Sequence, residues 1–79
     1  MAKSPADFAV MGKFGELVHA ARDARKWTQE DLAGHAGVDR TTVGTIEQGK
    51  GNPELLTINK IALALELSFS DFFPCRAEP

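Results

Sequence analysis

The sequence holds a single cysteine, Cys75, and no tyrosine among its 79 residues. One thiol forms no internal disulfide framework. His19 and His35 stand far apart and far from Cys75, so no metal-ligand cluster is expected. Long apolar runs are missing as well, since every hydrophobic stretch is interrupted within a few residues, and this excludes a membrane span. The opening MAKSPADFAV has one Lys and no apolar run of signal-peptide length. Nowhere do β-branched residues alternate over the length of a strand. A large excess of either charge is also absent: 9 Lys+Arg stand against 11 Asp+Glu, for a net charge of −2. That balance argues mildly against a polyanionic partner. No Ser-His-Asp arrangement, carboxylate pair or phosphate-binding loop is visible, so neither an enzyme nor a cofactor is expected.

What is present is a soluble globular composition, 43% hydrophobic and 25% charged, too apolar for disorder. The length suits one domain with a thin core, burying about 60–65% of its unfolded surface. Without disulfides or metal, such a domain relies on tight helix packing, dimerisation, or both. A lone thiol suits a reducing, cytoplasmic location.

Helix punctuation is dense. Ser4-Pro5-Ala6-Asp7 offers an N-cap, a proline at the first helical position and an acid behind it. Gly12 and Gly15 each weaken the following helix by about 1 kcal/mol relative to Ala, which favours a break near Gly12. With or without it, Lys13 to Arg25 is the first core helix, with Phe14, Leu17, Val18 and Ala21 on its apolar side. Thr28 caps a second helix, with Leu32, Ala33 and Ala36 inward and Gly37 as its left-handed stop. Asp39 caps a third, which buries Val43 and Ile46 and stops at Gly49. A fourth spans about Glu54 to Glu66, with Ile58, Ile61, Ala62 and Leu65 at helical spacing. Ser68-Phe69-Ser70-Asp71 opens a short fifth helix that Pro74 ends. The expectation is all-α: residues 1–12 an extension, with a helical form as one option, 13–73 a five-helix domain, and 74–79 a disordered tail.

The second and third helices are joined by Gly37-Val38-Asp39, a three-residue turn opening with glycine, which is helix-turn-helix spacing. In the third helix Arg40, Thr41, Gly44, Thr45 and Gln48 fall opposite Val43 and Ile46. Solvated faces of small proteins are usually rich in Glu and Lys. This one carries Arg, Thr and Gln, which can offer hydrogen bonds in a major groove.

From Phe14 to Phe73 the sequence resembles the Cro/cI-type helix-turn-helix family, also called the xenobiotic-response-element family, of bacterial and phage regulators. The resemblance rests on Phe14-Gly15-Glu16-Leu17-Val18, Ala21-Arg22, Trp27-Thr28-Gln29-Glu30-Asp31-Leu32-Ala33, and Ala36 through Val43. It continues through Ile46-Glu47-Gln48-Gly49-Lys50, Asn52-Pro53 and Ile61-Ala62-Leu63-Ala64-Leu65. It implies a compact lambda-repressor-like domain that binds a palindromic operator on double-stranded DNA as a homodimer. Small stand-alone members include restriction-modification controller proteins and Cro-like regulators. The resemblance also implies residue roles. Arg40, Thr41 and Thr45 would contact bases, and Gly44 would permit close approach. Gln29, Thr42, Gln48, Lys50 and Asn52 would lie near phosphates, although Thr42 has the alternative role of capping partner to Asp39. Arg22 and Glu47 would form an ion pair that orients the recognition helix. With few charges on that helix, affinity would depend on a patch of Arg40, Lys50 and Lys60, with Arg25 and Lys26 as further candidates. Trp27 is expected in the core, and His19 and His35 on exposed helix faces. Leu67, Phe69, Phe72 and Phe73 form the expected dimer interface. The alternative function is an antitoxin-type interaction module that neutralises a toxin and autoregulates its operon.

Overall fold

The computed structural model describes residues 5–72. The helix signals become α1 (Pro5–Ala24), α2 (Gln29–Ala36), α3 (Arg40–Glu47), α4 (Leu55–Ala64) and α5 (Phe69–Phe72). The expected cap Ser4, Phe73 and the tail 74–79 with Cys75 lie outside the described residues, as do the side chains of Phe8, Phe69 and Phe72.

The α2 start follows the sequence closely. Thr28 Oγ1 accepts the Asp31 N–H at 3.0 Å, and Asp31 Oδ2 accepts the Thr28 N–H at 2.8 Å, a reciprocal capping box. Gly37 ends the helix at φ +73°, where its N–H donates to the Ala33 carbonyl. A side chain at that angle would be strained, and this left-handed residue turns the chain from α2 into α3. Ser68 and Asp71 form a similar cap at α5, with the Ser68 N–H 2.8 Å from Asp71 Oδ2.

One core joins the helices. Phe14 and Val18 of α1 meet Leu32, Ala33 and Ala36 of α2, Val43 and Ile46 of α3, and Ile61, Ala62 and Leu65 from α4 and its end. Leu17, Ala21, Trp27, Ile58 and Leu67 pack around them, partly buried. Val18, Leu32, Val43 and Ile61 have no exposed surface, and full burial of such a side chain contributes about 1.5–3 kcal/mol.

The break favoured near Gly12 does not occur, because α1 is continuous from Pro5 to Ala24. The two glycines serve packing instead. A Cβ on Gly15 would collide with the Ile46 carbonyl oxygen, and one on Gly49 would lie 3.1 Å from Gly12 Cα. The α1 backbone therefore touches the end of α3 directly, and this contact offsets the glycines' low helix propensity.

Candidate nucleic-acid interface

α3 presents two faces. Val43 and Ile46 point into the core, while Arg40, Thr41 and Gln48 are exposed and Thr42, Gly44 and Thr45 are half-buried. Asp39 occupies the N-cap position but makes no side-chain capping bond, so Thr42 is not its capping partner. At the other end the Gly49 N–H donates to the Ile46 carbonyl at 2.9 Å and the Lys50 N–H to the Thr45 carbonyl at 3.1 Å. These two bonds close the last turn in the manner of a Schellman motif. The chain then folds back beside α3. Thr41, Thr42, Thr45, Lys50 and Asn52 line an open notch of about 190 Å³ there. The structure thus brings together on one side of the molecule most of the residues expected to meet bases and phosphates.

Behind that surface lies a charged cluster. Arg22 Nε donates to Glu47 Oε2 at 2.7 Å, and Arg22 Nη2 donates to Glu47 Oε1 at 3.0 Å. The side chains are 12% and 5% exposed, respectively. Arg22 Nη1 also donates to the Trp27 carbonyl at 2.6 Å. Gln29 Nε2 donates to Glu47 Oε1 at 3.3 Å, and His19 Nδ1 lies 3.1 Å from the same oxygen. Burial alone would push the Glu47 carboxyl up, but the hydrogen bonds from Arg22, His19 and Gln29 outweigh it and hold it below the ordinary range. The bond to Glu47 raises the Arg22 guanidinium above its ordinary value. Sequence reasoning placed Arg22 with Glu47 but missed His19, which the i, i+3 spacing to Arg22 puts on the same face of α1. It also missed the tie from Gln29, which crosses between helices and leaves no mark in local spacing.

Elsewhere the structure corrects the expected basic patch. Arg25 Nη2 donates to the Leu65 carbonyl at 2.7 Å and to Glu66 Oε1 at 3.3 Å. It caps the end of α4 and so does not join Arg40 and Lys50. Its guanidinium also lies over the Trp27 ring at 5.2 Å. Trp27 packs on the core as expected, and its other partner is the His35 ring, stacked at 4.2 Å. Leu67 of the expected dimer patch is half-buried against the core. Leu55, Leu56 and Leu63 on the outer side of α4 are each about two-thirds exposed, at 66%, 69% and 67%. The seven-residue spacing of Leu56 and Leu63, two helical turns, was the signal available for that face. Among the described residues no group of His, Cys, Asp and Glu is placed to hold a metal ion, and no helix is long and apolar enough to cross a membrane.

A family model described as Helix-turn-helix matches residues 18–72. The HTH-type transcriptional repressor RghR of Bacillus subtilis is 42% identical over 60 residues, which cover 75% of this chain and 44% of the repressor. The immunity repressor protein of Bacillus phage phi105 is 38% identical over 56 residues, covering 71% of this chain and 39% of that protein. The chain therefore spans less than half the length of these two relatives. The crystal structure of the restriction-modification controller protein C.AhdI from Aeromonas hydrophila superposes with a TM-score of 0.78 at 38% identity. That alignment covers 82% of this chain and 98% of the controller protein.

Proposed function

The chain belongs to the helix-turn-helix family, of the Cro/cI or xenobiotic-response-element type, and from that premise we propose that it is a sequence-specific DNA-binding transcriptional regulator. It holds a palindromic operator as a homodimer, with α3 in the major groove. The observation that carries this reading is the charge arrangement of α3. Its only carboxylate, Glu47, is turned inward and neutralised by Arg22, while Arg40 and the threonines face outward. A net charge of −2 is then no obstacle, because the local field governs approach to a polyanion.

In this reading the Arg40 guanidinium reads guanine O6 and N7, and Thr41 and Thr45 contact neighbouring base edges. Gly44 admits the duplex closely. Lys50, Asn52, Thr42 and Gln48 lie along the phosphates. Gln29 has two amide N–H groups. One is spent on Glu47, and the other serves a phosphate at the N-terminus of α2, where the helix dipole favours an anion. Arg22 and Glu47 hold α3 at the angle this requires.

A single half-site offers few base contacts, which is why the reading includes two copies. The outer side of α4 supplies apolar surface through Leu55, Leu56 and Leu63, continuous in sequence with the patch expected from Leu67, Phe69, Phe72 and Phe73. A two-fold contact there is isologous. Titration of a fluorescent palindromic duplex across a salt series tests the proposal. The expected affinity falls linearly on log–log axes with a slope near −0.9 per phosphate neutralised, and sedimentation at micromolar concentration gives twice the chain mass. Equal affinity for scrambled duplexes overturns it.

A further inference from the structure

Thr45 is where the loop after α3 is fastened to the recognition helix, and the two arms of its side chain point to different tasks. Its carbonyl accepts the Lys50 N–H at 3.1 Å. Its methyl carbon Cγ2 lies against Gly51, so close that a Cβ on Gly51 would stand 2.9 Å away. Gly51 is at φ +78°, a conformation that brings the loop back over Thr45 and that other residues adopt only with strain. The methyl is therefore packed against the loop that carries Lys50 and Asn52.

The hydroxyl is placed differently. Among the described residues no buried side-chain polar atom lacks a hydrogen-bond partner. Thr45 lines the notch together with Thr41, Lys50 and Asn52, and among the described residues no side-chain hydrogen bond engages Thr45 Oγ1, so this oxygen is not fully buried. In a β-branched residue both γ atoms turn together about χ1. Seating Cγ2 against Gly51 favours one χ1 rotamer, which sets the direction of Oγ1 and reduces the rotamer entropy lost on binding.

On the reading of α3 as the groove-facing helix, we propose that Thr45 is a specificity-determining residue with divided labour: its methyl anchors the phosphate-gripping loop, and its hydroxyl reads one base pair per half-site. It recognises a hydrogen-bonding base edge and not the thymine methyl, because its own methyl is already committed to the loop. A base contact through the methyl would require the side chain to leave Gly51.

Two variants separate the arms. Thr45→Val keeps a methyl against Gly51 and removes the hydroxyl. Thr45→Ser keeps the hydroxyl and removes the methyl. Each full-length variant is measured against the selected operator and a set of duplexes bearing single base-pair changes, with Lys50 amide hydrogen exchange recorded in the absence of DNA. Thr45→Val is expected to lose roughly threefold to tenfold discrimination at one pair per half-site, the worth of one hydrogen bond, with Lys50 exchange unchanged. Thr45→Ser is expected to keep the ranking of duplexes while weakening all of them alike, with faster Lys50 exchange. The proposal is overturned if Thr45→Val preserves the ranking, if Thr45→Ser alters it, or if Lys50 exchange is the same in all three proteins. A wild-type chain that binds no duplex overturns the regulator reading as well, whereas intact operator binding with the wrong variant pattern removes only the role of Thr45.

Discussion

Glu47→Ala perturbs the cluster that links α1, α2 and α3. The substitution takes away the acceptor of the Arg22 bonds at 2.7 and 3.0 Å and leaves a guanidinium whose side chain is only 12% exposed. Removing one partner of a buried pair typically costs about 3–5 kcal/mol, most of it the penalty of the stranded charge. Two features put this site at the low end. Arg22 Nη1 keeps the Trp27 carbonyl at 2.6 Å, and the residual exposure lets water reach the vacated space. A loss of about 3 kcal/mol is large beside a stability of about 4–12 kcal/mol expected for this length. At about 4–8 °C per kcal/mol for a small domain, Tm should fall by about 12–24 °C, read by circular dichroism at neutral pH without DNA. The double variant Arg22→Met, Glu47→Leu strands no charge and should melt near wild type. A single variant within a degree or two of wild type would refute the reasoning, since it would give the pair only the small worth of a surface ion pair. A double variant as unstable as the single would show that lost packing, not stranded charge, is responsible.

Further outcomes follow from the same geometry. Gly15→Ala pushes a methyl onto the Ile46 carbonyl, with the Glu47 carbonyl at 3.1 Å, and both obstacles are backbone. It should destabilise by about 1–3 kcal/mol in urea unfolding, and a more stable variant would contradict the close helix contact. Gly44→Ala meets only the flexible Gln29 amide, at 3.5 Å. It should gain about 1 kcal/mol in helix propensity yet lose operator affinity, and unchanged affinity would remove the close-approach role. The Glu47 and Asp31 carboxyls are both held below their ordinary values of 4.5 and 3.8. Glu47 is lowered against the opposing effect of burial, and Asp31 by its bonds from Thr28. Such groups add stability that is complete above the ordinary values and lost as pH falls through the lower folded ones. The urea midpoint should therefore drop in acid below those values, less steeply in Glu47→Gln, and a midpoint that rises there would contradict the assignment.

Most of the architecture was legible because it is written in local signals. Thr28 with Asp31, Gly37, and the spacing of Ile58, Ile61, Ala62 and Leu65 each act within a turn or two of the chain, and short-range physics decides them. The continuity of α1 was not legible. Helix propensity reads Gly12 and Gly15 as a weakness, whereas their purpose lies in contact with Ile46 and Gly49, more than 30 residues away in sequence. Arg25 was misread for a related reason. Its charge fits a nucleic-acid patch on paper, but the Leu65 carbonyl at the end of α4 is what it meets. At the candidate site the outward face of α3 followed from Val43 and Ile46 being inward. The Gln29 tie to Glu47 and the seating of the Thr45 methyl on Gly51 depend on tertiary approach, and no spacing rule announces them.

The central claim is that α3 reads base edges, with Arg40 as its principal contact. Selection of bound duplexes from a random pool, run in parallel with wild type and Arg40→Ala and followed by sequencing, tests it most directly. The account predicts a two-fold symmetric wild-type consensus with half-sites about one helical turn, ~34 Å, apart. In Arg40→Ala the preference at one pair per half-site should be relaxed, at a cost of roughly 1–3 kcal/mol in affinity. A wild-type pool without symmetry, or an Arg40→Ala consensus identical to wild type, would contradict it.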